Sequence, residues 1–338
     1  MKKIIVNHAG LLAQYNNVIL SVLEECPTEE EFEFVFDDFW PSPFEPKGNI
    51  FYNDKSISCS DIGDLTNLNQ NKSRLDLEKT QLMLSRKFVP LDIVKHYNKI
   101  IDKFFNPTEK LNQSFSNMLN KYKIDTTKTI FAYFRGTDGA YERPAGSFPV
   151  WGYMPILDKI LNSDTEIDTI VLQSDAGHFY FYIQDYLWKT YPNIRVVIID
   201  DVNLPNTTWE FISEKTNDHP FYGNEHEDRI KKHSVWVTEP QTHTEHLESG
   251  FYESPNQFSL FWTSISIISS KCKYFIGNKS NFSLFSNLYR KNSKNTAILD
   301  AQLKVKLNSD IMSEEEFQDS DYMKTNFPAR NRNIWKTQ

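Results

Sequence analysis

A chain of 338 residues is longer than one hydrophobic core usually organises, so two domains are expected. Aromatic residues supply 14% of it, which excludes a disordered chain, and a net charge of −8 without a basic stripe excludes the usual footprint of a nucleic-acid binder. The three cysteines, Cys26, Cys59 and Cys272, are too few and too widely spaced for a disulfide framework or a zinc site. The first residues begin like a signal peptide, but their apolar run is short and interrupted by a polar residue. No apolar stretch of about 18 residues occurs, so a soluble, cytoplasmic protein without a transmembrane segment is expected.

In chain order, residues 3–7 predict a strand, Ala9-Gly10 a turn, and Leu12, Tyr15, Val18, Ile19, Val22 and Leu23 a helix at 3.6-residue spacing. Residues 32–36 predict a second strand, and the prolines at 41, 43 and 46 mark a loop. Residues 91–105 carry one apolar helix face through Ile93, Val94, Tyr97, Ile100, Ile101, Phe104 and Phe105. A second helix is expected over 110–122, with the domain boundary close by. From there strand and helix alternate: strands at 129–134, 170–173, 194–199, 273–277 and 296–299, and helices at 153–162, 179–190, 258–270 and 283–291. Such alternation predicts a parallel sheet with helices on its faces. The section 201–255 is polar and aromatic, with few periodicities. The tail beyond 310 is charged, with one short helix expected near Glu314 and Phe317.

Three apolar runs end abruptly in polar clusters, each followed by a helical pattern: Ile130-Phe-Ala-Tyr-Phe-Arg135-Gly136-Thr137-Asp138, Ile170-Val-Leu-Gln-Ser174-Asp175, and Tyr274-Phe-Ile-Gly-Asn278-Lys279-Ser280-Asn281-Phe282-Ser283. In open α/β sheets, ligands bind outside the carboxyl ends of strands, so three such clusters predict one shared site. Arg135 suits a diphosphate, because its guanidinium holds two oxygens at once; Gly136 allows close backbone approach. Ser280 or Asn281 can cap the following helix or, with its free N–H groups, bind phosphate. Asp175 is either a turn residue or a contact for base or ribose. Glu142, in the loop after Arg135, can serve as general base on an acceptor hydroxyl or be a solvated loop residue. His243 and His246 lie in the polar section as further ligand candidates. Asp37-Asp38 and Asp200-Asp201 each follow a strand and read as turns rather than metal sites. Asn112, Asn206, Asn278 and Asn281 start glycosylation-type tripeptides, read here as chance matches. No Gly-x-Gly-x-x-Gly follows any predicted strand, which argues against a dinucleotide oxidoreductase.

Phe134-Arg135-Gly136-Thr137-Asp138 resembles the His-x-Arg-Arg-x-Asp type motif of the fucosyltransferase superfamily, in the Arg-Gly-Thr-Asp form that some relatives carry. Ser174-Asp175 resembles the second motif of that superfamily, a Thr-Asp at a strand end. Ser280-Asn281-Phe282-Ser283 resembles the third, a Ser-x-x-Ser run before a helix, and His8-Ala-Gly10 resembles the first strand–helix turn of the amino-terminal domain. Order and spacing agree across residues 3–290.

The resemblance implies an α/β protein of two Rossmann-like domains in a GT-B arrangement, with a nucleotide-sugar cleft between them. The expected division is residues 1–115 as the acceptor-side domain, 116–305 as the donor-binding domain and 306–338 as a tail. It implies inverting, metal-independent transfer of fucose from GDP-fucose to a hydroxyl of a glycan or glycoconjugate, with no cofactor. Arg135, Asp138 and Glu142 form the candidate catalytic set. Arg135, Gly136, Asp175, Ser280, Asn281, Phe282, Ser283, His8, Gly10, His243 and His246 are the candidate donor contacts. The chain departs from the motif at Tyr133, where the family has histidine, and at Gly136, its second arginine. An aspartate of the helix before the third motif is replaced near Thr263 or Ser264. Another nucleotide sugar, or an inactive carbohydrate-binding relative, therefore stand as alternatives.

Overall fold

The computed structural model describes residues 2–6, 12, 15–16, 32–36, 105–135, 150–174, 177–200, 255–290, 294–300 and 306–326. The chain divides into two compact units. One comprises Met1–Lys121, Tyr252–Ser270 and Asn281–Ser293; the other comprises Tyr122–Phe251, Lys271–Ser280 and Lys294–Gln338. The expected helix over 91–105 lies outside the described residues except for Phe105.

In the first unit, strands β1 (Lys2–Val6) and β2 (Phe32–Phe36) pair in parallel, with Lys2 opposite Phe32 and Val6 opposite Phe36. Leu12, Tyr15 and Asn16 are helical, as the strand–turn–helix pattern predicts. Helices α1 (Glu109–Lys121), α4 (Pro255–Lys271) and α5 (Asn281–Tyr289) complete what is described there. Helix α4 buries Thr263, Ser264, Ser266, Ser269 and Ser270. A buried hydroxyl needs a partner, and the helix supplies several itself. Ser266 donates to the carbonyls of Trp262 and Thr263, Ser269 to that of Ser266, and Ser270 to that of Ile267, all at 2.7–2.9 Å. Ser264 pairs with Ser114 of α1 at 2.9 Å, and Ser269 with Ser286 of α5 at 2.8 Å. Small side chains permit these close approaches. Tyr15, Phe105 and Phe285 form an aromatic triangle with centroids 5.1–5.8 Å apart. The Tyr15 hydroxyl, whose pKa burial pushes up, is satisfied by Thr263 at 2.8 Å.

The second unit is built on a sheet ordered β5-β4-β3-β6-β7-β8. Its strands are β3 (Thr129–Phe134), β4 (Thr169–Ser174), β5 (Arg195–Ile198), β6 (Tyr274–Asn278), β7 (Thr296–Asp300) and β8 (Lys306–Ser309). The first five in that order are parallel, and β8 closes the edge antiparallel to β7. Strands β3 and β4 are buried at every residue, which is why they read as continuous apolar runs rather than alternating ones. One sheet face packs Ile130, Ala132, Phe134, Ile170, Leu172 and Ile276 against helices α2 (Met154–Ser163) and α3 (Gly177–Thr190). Between α2 and α3, Asp158 accepts hydrogen bonds from both Tyr186 and Tyr191, and burial pushes the Tyr191 hydroxyl up to about 12.

Residues 306–326, read from sequence as part of a tail, form β8 and the short helices α6 (Glu314–Asp319) and α7 (Asp321–Asn326). Helix α6 starts in a capping box between Ser313 and Glu316. Leu307, Phe317 and Met323 join the same core cluster as the sheet. Charged and polar residues together dominate this segment, so its few buried apolar positions leave little periodic signal. Cys272 is buried. Among the described residues no helix is long and apolar enough to cross a membrane.

At the amino end of the sheet, Lys273 bridges Asp164 at 2.8 Å and Glu166 at 3.0 Å, and Tyr274 donates to Asp164 at 3.0 Å. The Lys273 and Tyr274 bonds hold the Asp164 carboxyl below its ordinary value, and the Asp164 and Glu166 bonds raise Lys273. A lowered carboxylate stabilises above its unfolded pKa, 3.8, and its contribution vanishes as pH falls through the folded value. A raised lysine stabilises below its unfolded pKa, 10.5, and loses this as pH rises through the folded value. The cluster therefore contributes fully only between those limits. Lys273→Met is expected to cost about 1 kcal/mol at neutral pH and to make the acid-side fall in urea midpoint shallower. An acid limb identical to that of the unmodified protein would reject this account.

Candidate active site

The chain runs from β3 outward to β4 and β5, then returns to the other side of β3 with β6 and continues outward to β7. The strand order therefore reverses between β3 and β6. That is where parallel α/β sheets open a crevice at their carboxyl ends, because the connections leave in opposite directions. Arg135 follows β3 at this point and is half-buried.

Its backbone is held by a side chain of the neighbouring strand. The Arg135 N–H donates to Oδ1 of Asn278 at 2.8 Å, and Nδ2 of Asn278 donates to the Arg135 carbonyl at 2.8 Å. Asn278 is fully buried. Its carboxamide thus stands in for a peptide group where the ladder between β3 and β6 ends. Two residues earlier, the buried Tyr153 hydroxyl donates to the Tyr133 carbonyl at 2.6 Å. Between them, Phe134 stacks on Phe179 at 5.2 Å and meets Tyr153 edge-on at 6.1 Å. Three successive residues of the strand end are therefore immobilised by different means.

The end of β4 is secured in the same way. The Tyr180 hydroxyl, from α3, accepts from the Ser174 N–H and donates to the Ser174 carbonyl, both at 2.7 Å. On the far side of Arg135, Lys279 and Ser280 follow β6 and are buried. Ser280 donates its hydroxyl to the Asn278 carbonyl at 3.2 Å, and the Lys279 N–H donates to the Leu299 carbonyl at 2.9 Å. Two cationic side chains, Arg135 and Lys279, thus arise at neighbouring strand ends, the charge type a diphosphate requires.

Of the residues singled out from sequence, Arg135, Ser174 and Ser280 fall at the carboxyl ends of three adjacent parallel strands. Asn281, Phe282 and Ser283 open α5, which begins two residues earlier than the periodicity predicts and belongs to the first unit. There, Nδ2 of Asn16 donates to the Asn281 carbonyl at 3.1 Å and to its Oδ1 at 3.2 Å. Phe282 is buried edge-on against Trp262 at 6.1 Å, and Ser283 is buried. Thr263 and Ser264, which stand near the family aspartate position, are committed to Tyr15 and Ser114. The candidates His8, Gly10, Gly136, Asp138, Glu142, Asp175, His243 and His246 lie outside the described residues.

Asn278, Lys279 and Tyr180 were not singled out as site residues. Asn278 starts a glycosylation-type tripeptide, but its amide is fully buried and already committed, which rules it out as an acceptor. A polar residue closing a fully buried apolar strand is the signal that marks it. Tyr180 carries no such signal, since helix periodicity alone makes it a core residue. Of the two acidic pairs, Asp200 accepts a hydrogen bond from the Tyr122 hydroxyl at its carboxylate and donates its own N–H back to that hydroxyl, a structural role after β5. Among the described residues, no group of three or more His, Cys, Asp or Glu is placed to hold a metal ion.

No protein-family model matches this chain, and no curated protein matches it. Among solved structures it is similar to an arginine-to-lysine mutant of Arabidopsis thaliana FUT1 in complex with GDP. The identity is 10% and the TM-score 0.33, over 61% of this chain and 36% of that chain. The chain thus spans about a third of that structure's length. By its own geometry the second unit is an α/β protein with five parallel strands, carrying an arginine at the point where strand order reverses.

Truncating either clamp strands polar backbone groups. Asn278→Ala is expected to destabilise by about 2–4 kcal/mol, because the N–H and carbonyl of Arg135 both lose their partner. Tyr180→Phe, which removes only the hydroxyl, should cost about 1–3 kcal/mol. Urea unfolding of each variant measures this, and a loss below about 0.5 kcal/mol in either would show that its clamp contributes nothing.

Proposed function

We propose that this chain is an inverting, metal-independent glycosyltransferase that transfers fucose from GDP-fucose to a hydroxyl of a glycan or glycoconjugate. The observation that carries the reading is the position of Arg135: half-buried, at the reversal of strand order, with its backbone fixed by Asn278. A guanidinium rooted there is preorganised, so stabilising a developing diphosphate charge requires little further reorganisation of its backbone. The motif order read from sequence supports the donor class. The two-domain GT-B arrangement, with residues 116–305 as the donor-binding part, belongs to the same reading.

In the proposed step, the acceptor oxygen attacks the anomeric carbon from the face opposite the diphosphate. Its proton passes to the Glu142 carboxylate as general base. The bond from the anomeric carbon to the phosphate oxygen breaks, and its electron pair leaves with GDP. Arg135 receives the growing negative charge in a bidentate contact. Asp138 completes the catalytic set in the loop after Arg135. Asp175, Ser280, Asn281, Phe282, Ser283, Gly136, His8, Gly10, His243 and His246 are the further donor contacts of this proposal.

Arg135→Lys tests the arginine while keeping the backbone contacts to Asn278. The variant is expected to stay folded and to lose about 2–4 kcal/mol of transition-state stabilisation in donor turnover. A kcat near that of the unmodified protein would reject the assignment. Excess EDTA is expected to leave the rate within about twofold, whereas a metal-assisted transferase would lose several kcal/mol of stabilisation, restored by Mn²⁺ or Mg²⁺. GDP should protect against thermal unfolding more than UDP does, and at 100 times its Kd its protection should be about 2.7 kcal/mol. Equal protection by UDP would remove the fucosyl donor while keeping a nucleotide site.

A further inference from the structure

Gln173 is the penultimate residue of β4, beside β3 and one residue before the strand end that Tyr180 secures. Its side chain is fully buried, and neither Nε2 nor Oε1 has a hydrogen-bond partner among the described residues. A carboxamide offers two donors and two acceptor lone pairs, and withdrawing all of them from water without compensation is costly. Leucine or methionine would fill the same volume without that cost, and the three residues before it in β4, Ile170, Val171 and Leu172, are apolar. A buried amide here makes chemical sense when something outside the chain meets it.

Its location says what that would be. Strand registry puts Gln173, Tyr133 and Gly277 in one row across β4, β3 and β6. By strand alternation this row lies on the sheet face opposite α2 and α3, whose side of the sheet carries Ile170, Leu172, Ala132, Phe134 and Ile276. Directly above it are the strand ends that carry Ser174, Arg135 and Asn278. Gly277 contributes no side chain beside Tyr133, whereas in the row two residues below Phe131 and Phe275 stack at 6.3 Å.

We propose that Gln173 is a ligand-recognition residue of the donor site, its carboxamide donating to and accepting from a polar ring edge of the bound nucleotide sugar. This rests on the nucleotide-sugar reading above. The complementary group is a donor next to an acceptor on a ring. A nucleobase edge carries that pair, and so do adjacent hydroxyls of the transferred sugar.

The test measures binding of GDP, UDP and GDP-fucose to the full chain, and melting without ligand, for the unmodified protein and for Gln173→Leu, Gln173→Met and Arg135→Lys. In the Gln173 variants, melting without ligand should be unchanged or raised, and Kd should rise at least about tenfold, which is 1.4 kcal/mol. Equal losses for GDP and GDP-fucose assign the amide to the base; a loss confined to GDP-fucose assigns it to the sugar. If Arg135→Lys weakens binding while both Gln173 variants bind normally, the inference fails and the donor reading stands. If both Gln173 variants melt lower or fail to fold, the amide is met by a structural partner such as a buried water, and the inference is overturned. If the unmodified protein binds none of the three ligands, the donor reading fails and takes this inference with it.

Discussion

A side-chain amide carries the pairing of β3 and β6 past the end of its main-chain ladder, at the place where the two halves of the sheet diverge. The parallel strands β3, β4 and β5 progress one way from β3, and β6 and β7 progress the other. At the carboxyl end of that junction the main-chain ladder runs out, and both polar groups of Arg135 would be left open. Asn278 closes them by matching the donor and acceptor of a peptide with those of its carboxamide. Glutamine would be one methylene too long for this span, and aspartate would lack the donor. The backbone of Arg135 is thereby fixed by a side chain of the neighbouring strand.

The other constraints around the junction follow the same logic of fixing backbone with side chains. Tyr153 holds the Tyr133 carbonyl, Tyr180 holds both groups of Ser174, and the Phe134–Phe179 stack fills the space between. Each hydroxyl is buried and satisfied, so each specifies one position for a strand end rather than merely adding apolar area. Aromatic residues suit this use, because a rigid ring carries its polar tip to a defined distance with few rotamers to lose. In the first unit the corresponding role falls to small hydroxyls. Helix α4 satisfies Ser266, Ser269 and Ser270 from its own carbonyls, while Ser264 pairs with Ser114 and Ser269 pairs also with Ser286. Asn16, in turn, holds the first residue of α5.

Much of this architecture was legible in the residues. The strands at 129–134, 169–174, 274–278 and 296–300 are dense in apolar residues because they are buried on both faces, and their ends are marked by an abrupt change to polar residues. Helices α2, α3 and α4 announce themselves through apolar spacing, and the alternation of the two element types implies parallel pairing. Less legible were the ends. Helix α5 starts at Asn281, where a side-chain contact from Asn16, far away in sequence, meets the first turn. Strand β8 and helix α7 escaped because their burial rests on Leu307 and Met323, too few residues to set a period.

Local chemistry thus determined which segments become strands and helices, and it placed an arginine, a serine and an asparagine at strand ends. Which strand ends become neighbours is decided by the order in which strands pair, and no local pattern encodes that order. The reversal between β3 and β6 brings Arg135 to Asn278 across 143 positions of chain. It also sets Gln173 level with Tyr133 and Gly277. Hydrogen-bond partners at such separations are chosen by packing of the whole sheet, so tertiary structure alone could show that Asn278 clamps the arginine and that the Gln173 amide is buried without a partner among the described residues.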